Sequence, residues 1–318
     1  MKRDLICLLT ATALALVSIS GNAVAAPNKK VKRSVVAKAP IKGVRVARTV
    51  SQSQNEAGLP SSIAAHLGLQ SSAVLVQDQT SGAVLYQKNA AAIQPIASIT
   101  KLMTAMVALD QQPDLEEVLT ISQEDVDLLK GTRSRLMVGT QMTRGELMRL
   151  ALMSSENRAA SALARYYPGG RPSFVHAMNQ KAVSLGLSDT RFEDSTGLTA
   201  ANVSSPRDLA RMVDAAYQYP LIREFSTTPG GEFNVAGRAM QFNNTNSLVK
   251  SPQWDIGLSK TGYISEAGKC LVMQVWLNSK PTIIVLLDSM GKMTRIGDAN
   301  RIKRWVENAG LTSRPIAG

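Results

Sequence analysis

Strand-like and helix-like segments are kept apart along this chain, and that separation is the feature that most constrains its fold. Residues 72–78 alternate between apolar and polar side chains, residues 80–82 are typical of a turn, and residues 83–88 predict a second strand. Three more strands are predicted towards the other end of the chain: residues 258–264, 270–277 and 282–288. Strands grouped in this way are typical of an antiparallel sheet in an α+β domain.

Helical patterns fill the interval between the two groups of strands. Beyond Pro95, apolar residues recur at helical spacing from Ile99 to Val107. Four more helices are predicted before residue 225, and one near the end of the chain: residues 143–153, 156–166, 173–185, 205–217 and about 298–309. The predicted fold is therefore an antiparallel sheet flanked by helices, plus a mostly helical subdomain over about residues 110–225.

The first 25 residues have the pattern of a secretory signal peptide. Lys2 and Arg3 precede an apolar run over residues 5–20, and small residues follow up to Ala25. The alternative is a membrane anchor, which needs roughly 20 apolar residues, and this run is shorter. We expect cleavage after Ala25 and a periplasmic protein, either soluble or peripherally associated with the membrane.

Most of the positive charge lies in a segment that follows this leader. The formal net charge is +12, and residues 27–50 carry eight Lys or Arg side chains and no acidic one, whereas residues 51–318 carry only +3. A basic segment without apolar periodicity predicts a disordered arm, over residues 26–60. Because the chain is exported, we expect electrostatic contact of residues 27–50 with an anionic wall or membrane surface rather than with nucleic acid. A solvated tether without a partner is the alternative.

The number of cysteines and the length of the chain limit how the protein can fold after the signal peptide is removed. Removal of the signal peptide removes Cys7 and leaves Cys270 alone, so an internal disulfide is excluded. The chain is long enough for a sizeable core, and we expect the folded domain at residues 61–312 with a short tail at 313–318.

The first candidate for chemistry is the motif Ser98-Ile99-Thr100-Lys101. A serine hydroxyl is a weak nucleophile until a base takes its proton. Positions i and i+3 lie on one face of a helix, so the Lys101 amine can reach the Ser98 hydroxyl. By itself S-x-x-K is a weak signal, because so short a motif recurs by chance.

Two further motifs follow in the chain. Ser155-Glu156-Asn157 lies between two predicted helices, where a hydroxyl and an amide can both face a site; Ser155 as a helix N-cap is the alternative. Lys260-Thr261-Gly262 lies inside a predicted strand, where a glycine often marks the close approach of a ligand and a lysine attracts a carboxylate. An ordinary lysine of an edge strand is the alternative for this third motif.

Histidine and metal chemistry have little support. His66 and His176 are the only histidines, and neither has a supporting catalytic motif. Two histidines with one cysteine also make a zinc site unfavourable, and we expect neither a metal nor a cofactor. The base must then be another side chain, and Lys101 is available.

The order and context of the three motifs match a known signature: S-x-x-K on the first helix, S-x-N in the helical block and K-T-G on the first strand of the last group. On these motifs the chain resembles the low-molecular-mass penicillin-binding proteins, a family of D-Ala-D-Ala serine peptidases, over about residues 60–312. The runs 152–157 and 192–198 are similar too, and within the family the likeness is to the endopeptidase type. The resemblance implies a fold of the penicillin-binding protein and β-lactamase kind.

The resemblance also implies a catalytic mechanism. Ser98 would attack a D-Ala carbonyl of a peptidoglycan stem peptide after Lys101 takes its proton, and β-lactam antibiotics would acylate the same serine. Ser155 would pass a proton to the leaving amine. The backbone N–H groups of Ser98 and Tyr263 would form the oxyanion hole.

Further residues are implied as substrate-binding. Asn157 would hold Lys101 and a substrate amide, and Lys260 would supply positive potential that lowers the pKa of Lys101. Thr261 would bind a substrate carboxylate or amide, next to Gly262. Arg295, placed before the last predicted helix, resembles the auxiliary anion-binding arginine of the family, with a surface arginine as the alternative.

Three rival functions are weighed against an endopeptidase that cleaves D-Ala–diamino acid cross-links. A D-alanyl-D-alanine carboxypeptidase that trims pentapeptides is the nearest. A class A β-lactamase would need an E-x-x-L-N segment between the second and third motifs, and none occurs. A non-hydrolytic wall-peptide-binding protein is disfavoured by the intact pair of Ser98 and Lys101.

Overall fold

The structure is a computed structural model that describes residues 67–291 and 293–312. The predicted signal peptide, the basic arm, His66 and the tail at 313–318 lie outside the described residues. The chain divides into two units between Gln54 and Asn55, and every described residue belongs to the second unit. The predicted domain boundaries therefore stay predictions.

The described residues form strands and helices in the predicted order. The strands are β1 Ser71–Asp78, β2 Val84–Lys88, β3 Gln94–Pro95, β4 Val118–Thr120, β5 Gln141–Thr143, β6 Val203–Ser204, β7 Gly230–Val235, β8 Arg238–Asn243, β9 Asp255–Ile264, β10 Gly268–Leu277 and β11 Lys280–Ser289. The α-helices are α1 Thr100–Asp110, α2 Arg144–Met153, α3 Asn157–Arg165, α4 Gly170–Ser184, α5 Pro206–Tyr217, α6 Pro220–Thr227 and α7 Thr294–Thr312. Among the described residues, no helix combines the length and the apolar character needed to cross a membrane.

Five of the strands form one antiparallel sheet in the order β2-β1-β11-β10-β9. Successive side chains of a strand point to opposite faces. Val272 and Val285 belong to a core that includes the helical block, whereas Met273 and Ile284 belong to a second core that includes Ile302 of α7. Both faces of the sheet are thus covered, which explains why β10 and β11 are almost continuously apolar. The predicted α+β fold is confirmed.

The last helix begins earlier than predicted. It starts at Thr294 instead of about residue 298, so Arg295 lies in its first turn and not on the segment before it. Asp298, one turn further, accepts hydrogen bonds from the Ser71 backbone N–H at 2.7 Å and from its hydroxyl at 2.6 Å. This contact fixes the start of α7 against the first strand of the sheet.

A hairpin in the second half of the chain escaped prediction. β7 and β8 are joined by Ala236 and Gly237, which have φ values of 51° and 78°. Two-residue turns of this kind need positive φ at both positions and favour Asn-Gly or Gly-Gly. Alanine at the first position removed the usual sequence signal.

Candidate active site

Ser98 lies at the junction of a short 3₁₀ turn and the first helix. The turn spans Ala97–Ile99 and leads directly into α1. Ala97 has φ of 48°, a left-handed conformation that is uncommon for a residue other than glycine. The Thr100 hydroxyl donates to the Ala97 carbonyl at 2.8 Å, which holds this turn. Ser98 itself is half-buried.

Lys101 is one helical turn after Ser98 and is 1% exposed. Its Nζ lies 2.8 Å from Ser98 Oγ, 2.8 Å from Asn157 Oδ1 and 2.6 Å from the Thr196 carbonyl. In its protonated form, Lys101 donates all three of these hydrogen bonds. The predicted proximity of Ser98 and Lys101 is therefore found in the structure.

The environment of Lys101 favours the neutral amine. Burial lowers the pKa of Lys101 from 10.5 to about 7, because the charged form loses its hydration. The negative charges of Asp194 and Glu156 act in the opposite direction and offset part of this effect. A substantial fraction of Lys101 is thus unprotonated near neutral pH.

Ser155 lies between α2 and α3 with φ of 60°. Glu156, not Ser155, occupies the N-cap position of α3, so the helix-cap alternative for Ser155 is wrong. Lys260 Nζ donates to Ser155 Oγ at 2.9 Å and to the Thr261 carbonyl at 2.9 Å. The second and third motifs are therefore in direct contact.

Lys260 is also buried, at 1% exposure. Burial lowers its pKa well below 10.5, and the positive charges of Lys101 and Arg295 lower it further. The charge of Lys101 is thus one cause of the lowered pKa of Lys260, whereas the lowered pKa of Lys101 comes from its burial. The alternative of an ordinary edge-strand lysine does not fit this burial.

The amide of Asn157 is oriented by a chain of hydrogen bonds. Its Oδ1 accepts from Lys101, and its Nδ2 donates to Thr132 Oγ1 at 3.0 Å. Thr132 Oγ1 in turn donates to Asp127 Oδ2 at 2.7 Å. The carboxylate can only accept, so the direction of each bond in the chain is determined and Asn157 presents its oxygen to Lys101.

Strand β9, which carries the K-T-G motif, approaches the turn that carries Ser98 closely. Thr261 Oγ1 donates to Thr245 Oγ1 at 2.6 Å. A Cβ at Gly262 would lie 2.9 Å from the Ile96 carbonyl and 3.0 Å from the Ser98 nitrogen, so only glycine allows β9 to approach Ser98 this closely. Tyr263 is 60% exposed at the rim.

The loop that carries Thr196 was not placed in the site by sequence reasoning. Gly197 has φ of 81°, and a Cβ there would collide with the Ala97 carbonyl. Asp194 accepts hydrogen bonds from the backbone N–H groups of Thr196 and Gly197 and so shapes the loop. The similarity of residues 192–198 was the available signal, but the loop reaches Lys101 through a main-chain carbonyl, which no side-chain pattern reveals.

Arg295 and His176 complete the set of candidates among the described residues. Arg295 Nη1 donates to the carbonyls of Gly262 at 3.2 Å and Cys270 at 3.3 Å. Arg295 is thus in contact with the site, behind the K-T-G strand. His176 is exposed on α4, on a different element from the three motifs.

An antiparallel sheet with a helical block, and three motifs that meet around a serine and a buried lysine, define the class of penicillin-recognising serine hydrolases. Within that class, residues 60–291 match the family model described as "D-alanyl-D-alanine carboxypeptidase". The chain belongs to this family of serine D,D-peptidases, as the sequence predicted.

Individual relatives give the same result. The chain is 48% identical over 277 residues to a D-alanyl-D-alanine endopeptidase of Pseudomonas aeruginosa, with 86% of this chain and 87% of the relative covered. It is 43% identical to a D-alanyl-D-alanine endopeptidase of Escherichia coli, with coverage of 78% and 80%. The crystal structure of the Streptomyces K15 DD-transpeptidase superposes with a TM-score of 0.70 at 29% identity, and the match covers 75% of this chain and 97% of the transpeptidase.

Proposed function

We propose that this serine D,D-peptidase cleaves the D-Ala–diamino acid cross-links of peptidoglycan through an acyl-enzyme on Ser98. The observation that carries the proposal is the 2.8 Å separation of Ser98 Oγ and Lys101 Nζ, combined with the lowered pKa of Lys101. The endopeptidase names of the two relatives at 48% and 43% identity support the choice of bond.

Proton transfer follows from the partners of Lys101. A neutral amine has two N–H groups and one lone pair. The oxygens of Asn157 and Thr196 accept the two N–H groups, which leaves the lone pair directed at the Ser98 hydroxyl. Ser98 Oγ then bonds to the D-Ala carbonyl carbon as its proton passes to Lys101 Nζ.

Collapse of the tetrahedral intermediate breaks the C–N bond and needs a proton on the leaving amine. Ser155 donates this proton and is reprotonated with the proton that Lys101 took from Ser98, while the hydrogen bond from Lys260 Nζ orients the Ser155 hydroxyl. The N–H groups of Ser98 and Tyr263 stabilise the oxyanion. Water then hydrolyses the ester, releases the D-Ala carboxylate and restores Ser98.

The substrate-binding residues are the remaining members of the three motifs and their neighbour on α7. Thr261 binds a substrate carboxylate or amide beside Gly262, and Lys260 attracts the anionic end of the substrate. Asn157 holds Lys101, and its second amide hydrogen is directed to the substrate. Arg295 adds positive charge behind the same strand. A β-lactam antibiotic acylates Ser98 by the same steps because its strained amide resembles the D-alanyl bond.

The rival function is trimming of terminal D-Ala, which the name of the matching family model favours. A mixture of cross-linked muropeptide dimers and free pentapeptides distinguishes the two. We expect dimers to be converted to monomers faster than pentapeptide is converted to tetrapeptide, as measured by chromatography over time. Enzyme blocked with penicillin is the control, and loss of terminal D-Ala with dimers left intact would make the protein a carboxypeptidase.

The proposal extends to the compartment and to the arm. Export to the periplasm rests on the signal peptide at residues 1–25, and residues 26–60 form an arm ahead of the domain at 61–312. The eight basic side chains of residues 27–50 make electrostatic contact with the anionic wall or membrane surface.

Deletion of residues 27–50 tests the role of the arm. We expect penicillin acylation to stay unchanged, because the three motifs lie outside the deleted segment. Sedimentation with peptidoglycan or anionic vesicles should fall, and binding of the full protein should weaken with added salt, because salt screens charges. Binding that resists both salt and the deletion would show that the arm is only a tether.

A further inference from the structure

The contact between Arg295 and the K-T-G strand involves the main chain. One nitrogen of the guanidinium, Nη1, donates to both the Gly262 and the Cys270 carbonyls. These two residues pair with one another across β9 and β10. Arg295 therefore holds the sheet at the glycine that packs against Ser98.

The Gly262 carbonyl and the Tyr263 N–H belong to the same peptide unit. A peptide unit is planar, and in the trans form its C=O and N–H point in opposite directions. The described residues contain no cis peptide bond. A donor that fixes the Gly262 carbonyl therefore also fixes the direction of the Tyr263 N–H.

The charge of Arg295 acts on the same peptide. A hydrogen bond from an ionised donor is stronger than a neutral one, although the 3.2 Å bond to the Gly262 carbonyl is longer than such bonds usually are. It also polarises the group that accepts it, so the N–H at the other end of the amide becomes a better donor. Both effects strengthen a hydrogen bond from Tyr263 N–H to a substrate oxyanion.

The position of Arg295 at this contact costs part of the hydration free energy of its guanidinium group. Its Nε is buried with no hydrogen-bond partner, and in the described part of the chain its hydrogen bonds go to carbonyls, not to a carboxylate. Arg295 as a whole is half-buried, and a partly desolvated cation without a counter-ion is unfavourable for folding. The start of α7 is nevertheless held firmly by Asp298, whose carboxylate accepts from Ser71.

We propose that Arg295 is a positioning residue that orients and polarises the Gly262–Tyr263 peptide, so that the Tyr263 N–H faces the oxyanion formed at Ser98. This role rests on the proposed function and adds a residue that acts through the main chain of β9. It differs from direct binding of a substrate anion, because it affects every acyl donor whether or not the donor carries a carboxylate.

The test compares two acyl donors with two arginine variants. Arg295→Leu removes the guanidinium that donates the hydrogen bond to the Gly262 carbonyl. Arg304→Leu removes the same charge from an exposed position of the same helix. The donors are a D-alanyl-D-alanine peptide and the same peptide ending in D-alaninamide. We expect Arg295→Leu to lower the acylation rate constant for both donors equally, by roughly 10- to 100-fold, since loss of an entire oxyanion donor typically costs ~10²–10³-fold. Arg304→Leu should leave both rates unchanged.

The ester formed with penicillin supplies a spectroscopic measurement that a merely structural role would not change. The carbonyl stretch of the acyl-enzyme falls in frequency when the oxyanion hole polarises it, so difference infrared spectra should show a higher frequency in Arg295→Leu. Arg295→Lys, which keeps the charge, should lie between this variant and the wild type. If Arg295→Leu does not fold, Arg295→Lys and Arg295→Gln allow the same comparison.

The outcomes separate the alternatives. Equal loss for both donors with a shifted carbonyl stretch supports the positioning role. Loss confined to the donor with a carboxylate and an unshifted stretch would assign Arg295 to anion binding, and unchanged rates would remove it from the reaction; either result overturns the inference. If the wild type itself were not acylated by penicillin, the proposed function would fail, which is a separate result.

Discussion

Ser98→Ala is expected to abolish covalent labelling of the protein by penicillin. The variant lacks the oxygen that forms the ester, and the change removes one atom from a half-buried side chain, so the fold should persist. Intact-protein mass spectrometry after incubation with penicillin measures the adduct. Ser184→Ala, an exposed serine on α4, is the matched control and should be labelled like the wild type.

The same variant tests the placement of the nucleophile. Thermal unfolding should show a midpoint close to that of the wild type, because Ser98 contributes little apolar contact. An adduct of undiminished mass and amount in Ser98→Ala would show that another side chain is acylated. Peptide mapping of the wild-type adduct should locate it at residue 98.

Lys101→Met is expected to lower the rate of acylation by at least the ~10²-fold typical of losing a general base. Methionine has a similar length and fills the buried space without a charge. Stopped-flow measurement with a fluorescent penicillin gives the rate. Lys181→Met is the control, because Lys181 pairs with Asp110 on the surface and should not affect acylation. A wild-type rate in Lys101→Met would mean that another group is the base.

The pH dependence of the reaction follows from the pKa of about 7 for Lys101. The acylation rate should fall as the pH is lowered through 7, because the protonated amine has no lone pair for the serine proton. Lys101→Met should lose this limb of the profile. The unfolded chain, with the ordinary lysine pKa of 10.5, binds more protons than the folded one between pH 7 and 10.5, so the free energy of unfolding contributed by Lys101 rises with pH across that window.

Local patterns in the sequence were sufficient for the sheet and the three motifs. The predicted strand at 270–277 lies within β10, and the predicted helix at 205–217 matches α5 to one residue, because Pro206 and the capping Ser205 mark its start. The spacing of Ser98 and Lys101 also translated directly into contact, since one helical turn brings them together. These predictions depend on residues that are neighbours in the chain.

Contacts between residues far apart in the chain could not be predicted from local sequence patterns. The carbonyl of Thr196 binds Lys101 through a loop shaped by Asp194, and nothing in the spacing of residues 101 and 196 indicates that contact. The contact of Arg295 with Gly262 depends on where α7 starts, and the apolar pattern of this helix placed its start about one turn late. In both cases the main chain supplies one partner, and main-chain groups are the same for every residue type.

The left-handed conformations of Ala97 and Ser155 have a consequence for attempts to engineer this protein. Each costs about 1–3 kcal/mol of folding free energy when the residue is not glycine. Laboratory selection for heat resistance alone would therefore favour glycine at either position, and the greater freedom of glycine would loosen the geometry around the nucleophile. Substitutions at these two positions that raise thermal stability are therefore expected to lower the turnover rate. Improvement should begin at distant exposed positions such as Val183, an apolar residue on α4 that is 80% exposed.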